Sequence, residues 1–257
     1  MEVGPEWWEW IPKAIWRIGG RYTLFAGVAF FIFYIWKRNT LQSLKIQPRF
    51  PKLADYQREI GYSALTILIF GVVAAFLLQS PAIRPYTLLL PSPDYYGWWY
   101  YVLVLPVMLL VHDAYFYWAH RCMHLPWMYR QVHSVHHRST NPSPWAAYAF
   151  HPWEALVEIG ILPVFVFGLP MHRTHILLFF LFMIAYNVYG HLGFELYPQG
   201  FEKTRIGRWI NTSRHHNLHH SRFTGNYGLY FLFWDRWMGT LRTDRAPFEQ
   251  CSQNRDR

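Results

Sequence analysis

Three long apolar runs constrain this chain more than any other feature: residues 22–36 (YTLFAGVAFFIFYIW), 60–79 (IGYSALTILIFGVVAAFLLQ) and 97–118 (GWWYYVLVLPVMLLVHDAYFYW). Each is near the roughly 20 residues that a helix needs to cross bilayer hydrocarbon. A core helix of a soluble protein would not be apolar on all sides for so long. Residues 155–190 form two further runs, broken at Gly168, Leu169 and Pro170, with His172, Arg173 and Thr174 at the turn. That pattern reads as a helical hairpin whose arms, each somewhat short, enter the bilayer tilted or stop partway. Before the first run, EWWEWIPKAIWRIGG (6–20) reads as an interfacial helix, rich in tryptophan and scattered charge. The first run has no convincing small-residue cleavage site and is read as a retained anchor.

Basic residues orient the assembly. The loop 37–59 carries Lys37, Arg38, Lys45, Arg49, Lys52 and Arg58 against Asp55 and Glu59, whereas the loop 80–96 has only Arg84 and Asp94. The first loop is therefore assigned to the cytoplasm, and the later spans then return every histidine-rich segment to that side. The expected fold class is an all-α integral membrane bundle, with about three spanning helices plus the hairpin and a cytoplasmic histidine-rich helical cap. The formal charge of +9 has its explanation in these loops and the tail, facing anionic head groups. There is no dense basic run and no nucleic-acid motif, so nucleic acid is not expected as a partner. Cys122 and Cys251 are too few to imply a disulfide framework, which suits a reducing face.

The chemistry is carried by histidine. His120 and His124 are four apart, His133, His136 and His137 fall at i, i+3 and i+4, and His216, His219 and His220 repeat that spacing. These offsets put side chains on one helix face. Pro126 separates the first two groups into two helical pieces. One such pattern would mean little, because a lone histidine in an apolar protein is usually a hydrogen-bonded core residue. Eight imidazoles brought together without an ion would leave unpaired nitrogens or, at lower pH, repelling cations. His191 ends the hairpin four residues after Asn187, as a further ligand, with Asn187 a weaker or water-mediated one. Asp113 lies seven residues before His120 and within about 20° of it on a helical wheel, a place from which to hold a ligand imidazole by its far nitrogen. The alternative for Asp113 is a structural carboxylate paired with an arginine. His112 points off the ligand stripe, His151 heads a new helix as a supporting residue, and His172, His175 and His215 are not needed.

Eight or nine histidines exceed the capacity of one ion and imply two metals. A hydrolytic zinc pair normally includes bridging carboxylates, and the clusters contain none at ligand spacing. Imidazole-rich sites in a lipid-facing protein suit iron and oxygen activation. The series HDAYFYWAHRCMH, HSVHH, AFHPWE and RHHNLHH, followed by NYGLYFLFWDRWMGT, closely resembles the fatty acid hydroxylase and sterol desaturase superfamily, and most of all its sterol C-5 desaturases. The resemblance runs over about residues 100–243. It implies a membrane-bound di-iron enzyme that uses dioxygen and two electrons to hydroxylate or desaturate an unactivated carbon of a lipid, sterol-type or fatty acyl. It carries iron ligation onto His120, His124, His133, His136, His137, His216, His219 and His220, with His191 as an additional ligand. Some relatives have histidine where this chain has Asn187. No His-Pro-Gly-Gly haem motif occurs, so a separate electron-donor protein is expected. The expected organisation is an anchor region 1–96, a catalytic domain 97–243 and a polar tail 244–257, in a bacterial inner membrane or endoplasmic reticulum. Trp118, Tyr148 and Tyr186 line the lipid path or serve packing. The rival readings are a zinc-dependent membrane hydrolase and a non-catalytic lipid or metal carrier.

Overall fold

The computed structural model describes residues 6–243; the tail 244–257, with Cys251, lies outside the described residues. Helix α1 (Trp7–Trp36) opens as a tight 3-10 turn, continues as α-helix over Ile11–Phe30 and closes in π-helical turns over Phe31–Trp36. The expected interfacial helix and first span are thus one helix. Pro12 occupies a position in the first turn, where a missing N–H costs nothing. Gly19 and Gly20 do not break it, and Gly19 serves close packing: a Cβ there would lie 3.4 Å from Ile67. Gly71 does the same from the facing helix, where a Cβ would come within 3.2 Å of the Ile15 backbone nitrogen. Small residues at such crossings let two membrane helices approach closely.

Helix α2 (Leu53–Gln79) begins where the Asp55 carboxylate accepts from the Lys52 backbone N–H at 2.9 Å and stops before Pro81. Helix α3 (Trp98–Met123) follows Gly97, whose φ of 84° suits glycine. The hairpin is present. Its first arm is split into α4 (Pro152–Ile159) and α5 (Ile161–Gly168), and its second is α6 (Arg173–Gly190). At the split, a side chain on Gly160 would strike the Tyr115 hydroxyl, which donates to the Val157 carbonyl at 2.6 Å. Two shorter helices follow, α7 (Ser213–Arg222) and α8 (Phe233–Trp237). Among the described residues there is no strand, only three isolated bridges.

By length and composition α1, α2, α3 and α6 are long and apolar enough to cross a membrane. Leu24, Val28, Phe31, Val72, Val102 and Leu110 are exposed on them, while Met108, Phe165, Phe179 and Ile184 fill the interior. Large apolar side chains on the outside of a long helix are what a lipid solvent calls for. The C-terminal ends of α1, α3 and α6 meet at one end of the bundle, with the N-terminal end of α2. Tyr34 of α1 donates to the Leu192 carbonyl at 2.8 Å, and Arg58 of α2 donates to the Ser139 hydroxyl at 3.3 Å. All the ordered histidine-rich segments lie at that end.

Candidate metal centre

Four pieces of chain supply the imidazoles: the last turn of α3 with its C-cap His124, the turns 129–138, the C-cap of α6 at His191, and α7. Their nitrogens form two groups. His120, His124, His133, His137 and His219 make the first, and His136, His191, His216 and His220 the second; in each, the ligating atoms lie within 4.8 Å of one another. Within the third box the partition follows helical geometry. On α7 the pair four apart, His216 and His220, stays together, whereas His219 at i+3, rotated about 60° from His216, crosses to the other group; in the π and 3-10 turns around 133–137, His133 and His137 stay together and His136 crosses. Both H-x2-HH boxes therefore stitch the two groups together, with ring centroids of His137 and His220 4.9 Å apart across the divide.

Backbone acceptors fix which nitrogen faces inward. His120 Nδ1 lies 2.9 Å from the Tyr227 carbonyl, His219 Nδ1 2.7 Å from that of Gly225, and His191 Nδ1 2.8 Å from that of Asn187. A carbonyl only accepts, so each Nδ1 carries the proton and each Nε2 is left as a bare lone pair. His133 is held likewise, its Nδ1 2.7 Å from Glu154 Oε1. The lone pairs of His120 and His133 then face each other at 3.1 Å. In the second group His191 Nε2 is 3.2, 3.0 and 3.2 Å from the Nε2 atoms of His136, His216 and His220. One lone pair cannot accept three such contacts. Burial, with the neighbouring imidazoles, pushes His216, His219 and His220 well below the ordinary histidine value, so protonation is no remedy. Nitrogen ligands about 2.1 Å from a common ion lie roughly 3.0–3.4 Å apart, and the observed separations fit that spacing. Two such donor sets fit two metal ions, each bound by neutral imidazole.

Several residues take other places. Asp113 does not hold an imidazole: its Oδ1 accepts from the backbone N–H groups of Tyr230 and Phe231 at 2.9 and 3.1 Å. It shares an azimuth with His120 but sits seven residues away, about 10 Å along the axis, beyond a carboxylate's reach. It anchors the loop that carries the Tyr227 carbonyl instead. The residue that does hold an imidazole of these groups is Glu154, buried in the first turn of α4. Sequence reasoning stopped at His151 in FHPWE; the acid three residues on, in a first turn after His-Pro, was the available signal. His112 binds the Tyr230 hydroxyl through Nδ1 at 2.9 Å, and His151, His172 and His215 accept from backbone N–H groups at helix starts. His175 contacts the Tyr101 carbonyl near the start of α3, away from the groups. Asn187 gives its carboxamide N–H to the Ala147 carbonyl at 2.8 Å. Tyr186 packs, donating to the Asn211 carbonyl, and Trp118 packs edge-on against Trp234. Tyr148 lines a cavity between the long helices, and Tyr186 lines a small one of about 10 Å³ beside His216.

The sequence model of the family described as fatty acid hydroxylase matches residues 105–240, more than half of the chain, and spans all three boxes. The chain belongs to the fatty acid hydroxylase family. Within that family it is similar to a Delta(7)-sterol 5(6)-desaturase of Gibberella zeae, 34% identical over 208 residues, covering 80% of this chain and 61% of that protein. A Delta(7)-sterol 5(6)-desaturase of Aspergillus fumigatus is 30% identical over 227 residues, 80% of this chain and 68% of that protein. Human lathosterol oxidase is 31% identical over 204 residues, 78% of this chain and 65% of that protein. The chain thus spans about two thirds or less of the length of most of these fatty acid hydroxylase relatives. No solved structure matches it.

Proposed function

We propose that the chain is a membrane-bound, non-haem di-iron oxidoreductase that hydroxylates or desaturates an unactivated C–H position of a lipid, sterol-type or fatty acyl. The observation that carries this reading is the pair of buried, carboxylate-free imidazole groups, five and four strong, at one end of a bundle of lipid-facing helices. Family membership and the likeness to sterol desaturases support the oxidative chemistry. His120, His124, His133, His137 and His219 would hold one ion and His136, His191, His216 and His220 the other. Bound there, iron would supply dioxygen activation and one-electron chemistry.

The protein's own contribution is to position and to dry. The Tyr227, Gly225 and Asn187 carbonyls and Glu154 fix ring tautomers, so that Nε2 faces inward before any ion arrives. Burial of eight of the nine rings, with His124 half-buried, keeps water from the reacting centre. Asp113 and Asp235 brace the loop 225–231 that donates two of these carbonyls. The charge asymmetry of the loops supports a cytoplasmic face for the centre, with electrons from a separate donor protein. The absence of Asp and Glu from both groups argues against a hydrolytic zinc pair.

Metal analysis of purified protein, oxygen uptake and lipid profiling test the reading together. Expected are two irons per chain and a lipid heavier by one oxygen or lighter by two hydrogens. His136→Ala and His219→Ala should abolish turnover while leaving membrane insertion intact. Zinc without iron and no oxygen uptake would overturn it.

A further inference from the structure

A cavity of about 340 Å³ lies between α1, α2, the α4–α5 arm and α6. That is at the small end of the roughly 300–1,000 Å³ typical of ligand pockets. Much of its lining is apolar and includes Phe70, Leu162 and Ile184, with the Phe70 ring edge-on to Tyr148. Tyr148 stands toward the histidines: its ring is 6.2 Å from that of Phe150, which is 5.2 Å from that of His136. Lys13, Arg17, Arg21 and Arg173 also line it, Arg21 within electrostatic range of Tyr148, and no Asp or Glu lines the cavity.

Lys13, Arg17 and Arg21 fall at i, i+4 and i+8, one face of α1 extending about 12 Å. Arg21 stands fifteen residues before the helix end at Trp36, well within the candidate span. None of the four cations has a carboxylate in ion-pair reach among the described residues, where the only such pairs are Asp55–Arg58 and His133–Glu154. Arg173 is steered by neutral acceptors, the Leu78 carbonyl at 2.8 Å and the Gln79 carboxamide oxygen at 3.4 Å. Lys13 rests on the Trp10 ring at 4.6 Å. On the orientation proposed above, these cations occupy the half of α1 away from the cytoplasm, where the charge rule gives no reason for them. Cations within a span that line a cavity mark a binding path, and an arginine fork matches a carboxylate or phosphate.

We propose that this cavity binds a single-chain lipid with an oxyanion head group, the head on Arg17, Arg21 and their cationic neighbours and the apolar body directed toward Tyr148. This rests on the lipid-oxidising function above and deepens it, favouring an acidic acyl-type substrate over a neutral sterol.

The test is saturation binding of palmitate, hexadecyl phosphate and 1-hexadecanol to the full chain, counted by native mass spectrometry from zwitterionic detergent. Palmitate or hexadecyl phosphate should saturate at one per chain and bind at least about tenfold tighter than the alcohol. The preferred head group distinguishes a fatty acid from a phosphate monoester. In the double variant Arg17→Gln/Arg21→Gln, acidic binding should fall to the alcohol's level, while unchanged alcohol binding checks the fold. Arg17→Lys/Arg21→Lys should keep the preference. Equal affinity for acid and alcohol, a preference that survives both Gln substitutions, one lost equally in the Lys pair, or unsaturable anionic adducts would each overturn the proposal. Binding is read without turnover, so the two readings fail separately. Oxidation of a neutral sterol with no acid preference would sink this one and leave the oxidoreductase standing.

Discussion

Glu154 gives the sharpest test of how the centre is held together. Its Oε1 lies 2.7 Å from His133 Nδ1, with both side chains almost fully buried. Glu154→Ala removes the acceptor and leaves a buried imidazole N–H with no partner, a loss of about 1–3 kcal/mol. The metal-free protein should therefore unfold at a lower temperature. Glu154→Gln keeps an acceptor oxygen, so its stability should stay within about 1 kcal/mol of the parent. Its effect should appear in the metal instead: losing an outer carboxylate that raises ligand basicity costs about 10–100-fold in affinity. Only the first group contains His133, so one of two ions should weaken and the other stay. The assay is a metal titration of the stripped protein followed by elemental analysis, beside thermal unfolding of the stripped form in detergent. Wild-type affinity at both positions in Glu154→Gln, together with unaltered stability in Glu154→Ala, would refute the reasoning.

His191→Ala leaves the second group with three imidazoles while the first keeps five, so metal content should fall from about two toward one per chain by elemental analysis. Gly71→Ala should destabilise by about 1–3 kcal/mol through overpacking against the Ile15 backbone. Gly61→Ala on the same helix meets nothing within 4 Å and should stabilise by up to about 1 kcal/mol, both read as thermal midpoints. Lys45, set against Tyr34, Phe50 and Phe194, is pushed down to about 8 by burial, below its ordinary 10.5. The native state then binds fewer protons than the unfolded chain between those values, so stability should rise with pH from about 8 to 10.5 and be flat below 8. Thermal unfolding across that range should lose the rise in Lys45→Met.

Much of the architecture was legible in the linear chain because both of its main signals are local. Apolar length reports the solvent of a helix directly, and α2, α3 and the hairpin follow from it. Histidine spacing reports a shared face, and all nine imidazoles singled out from it converge. The join of the interfacial segment 6–20 to the first span 22–36 is not legible in the sequence because composition changes there while the helix runs on. Only the packed structure shows Ile67 against Gly19. Asp113 was misplaced because a helical wheel records azimuth and omits rise.

The amino-acid order by itself determined the long apolar helices and which imidazoles converge, since periodicity is a property of neighbours along the chain. Which imidazole joins which group, that Glu154 rather than Asp113 steadies a ring, and that Lys13, Arg17, Arg21 and Arg173 gather on one cavity were decided by tertiary packing. Those relations link residues far apart in the chain, and the direction of a side chain across such a gap is set by how whole helices pack.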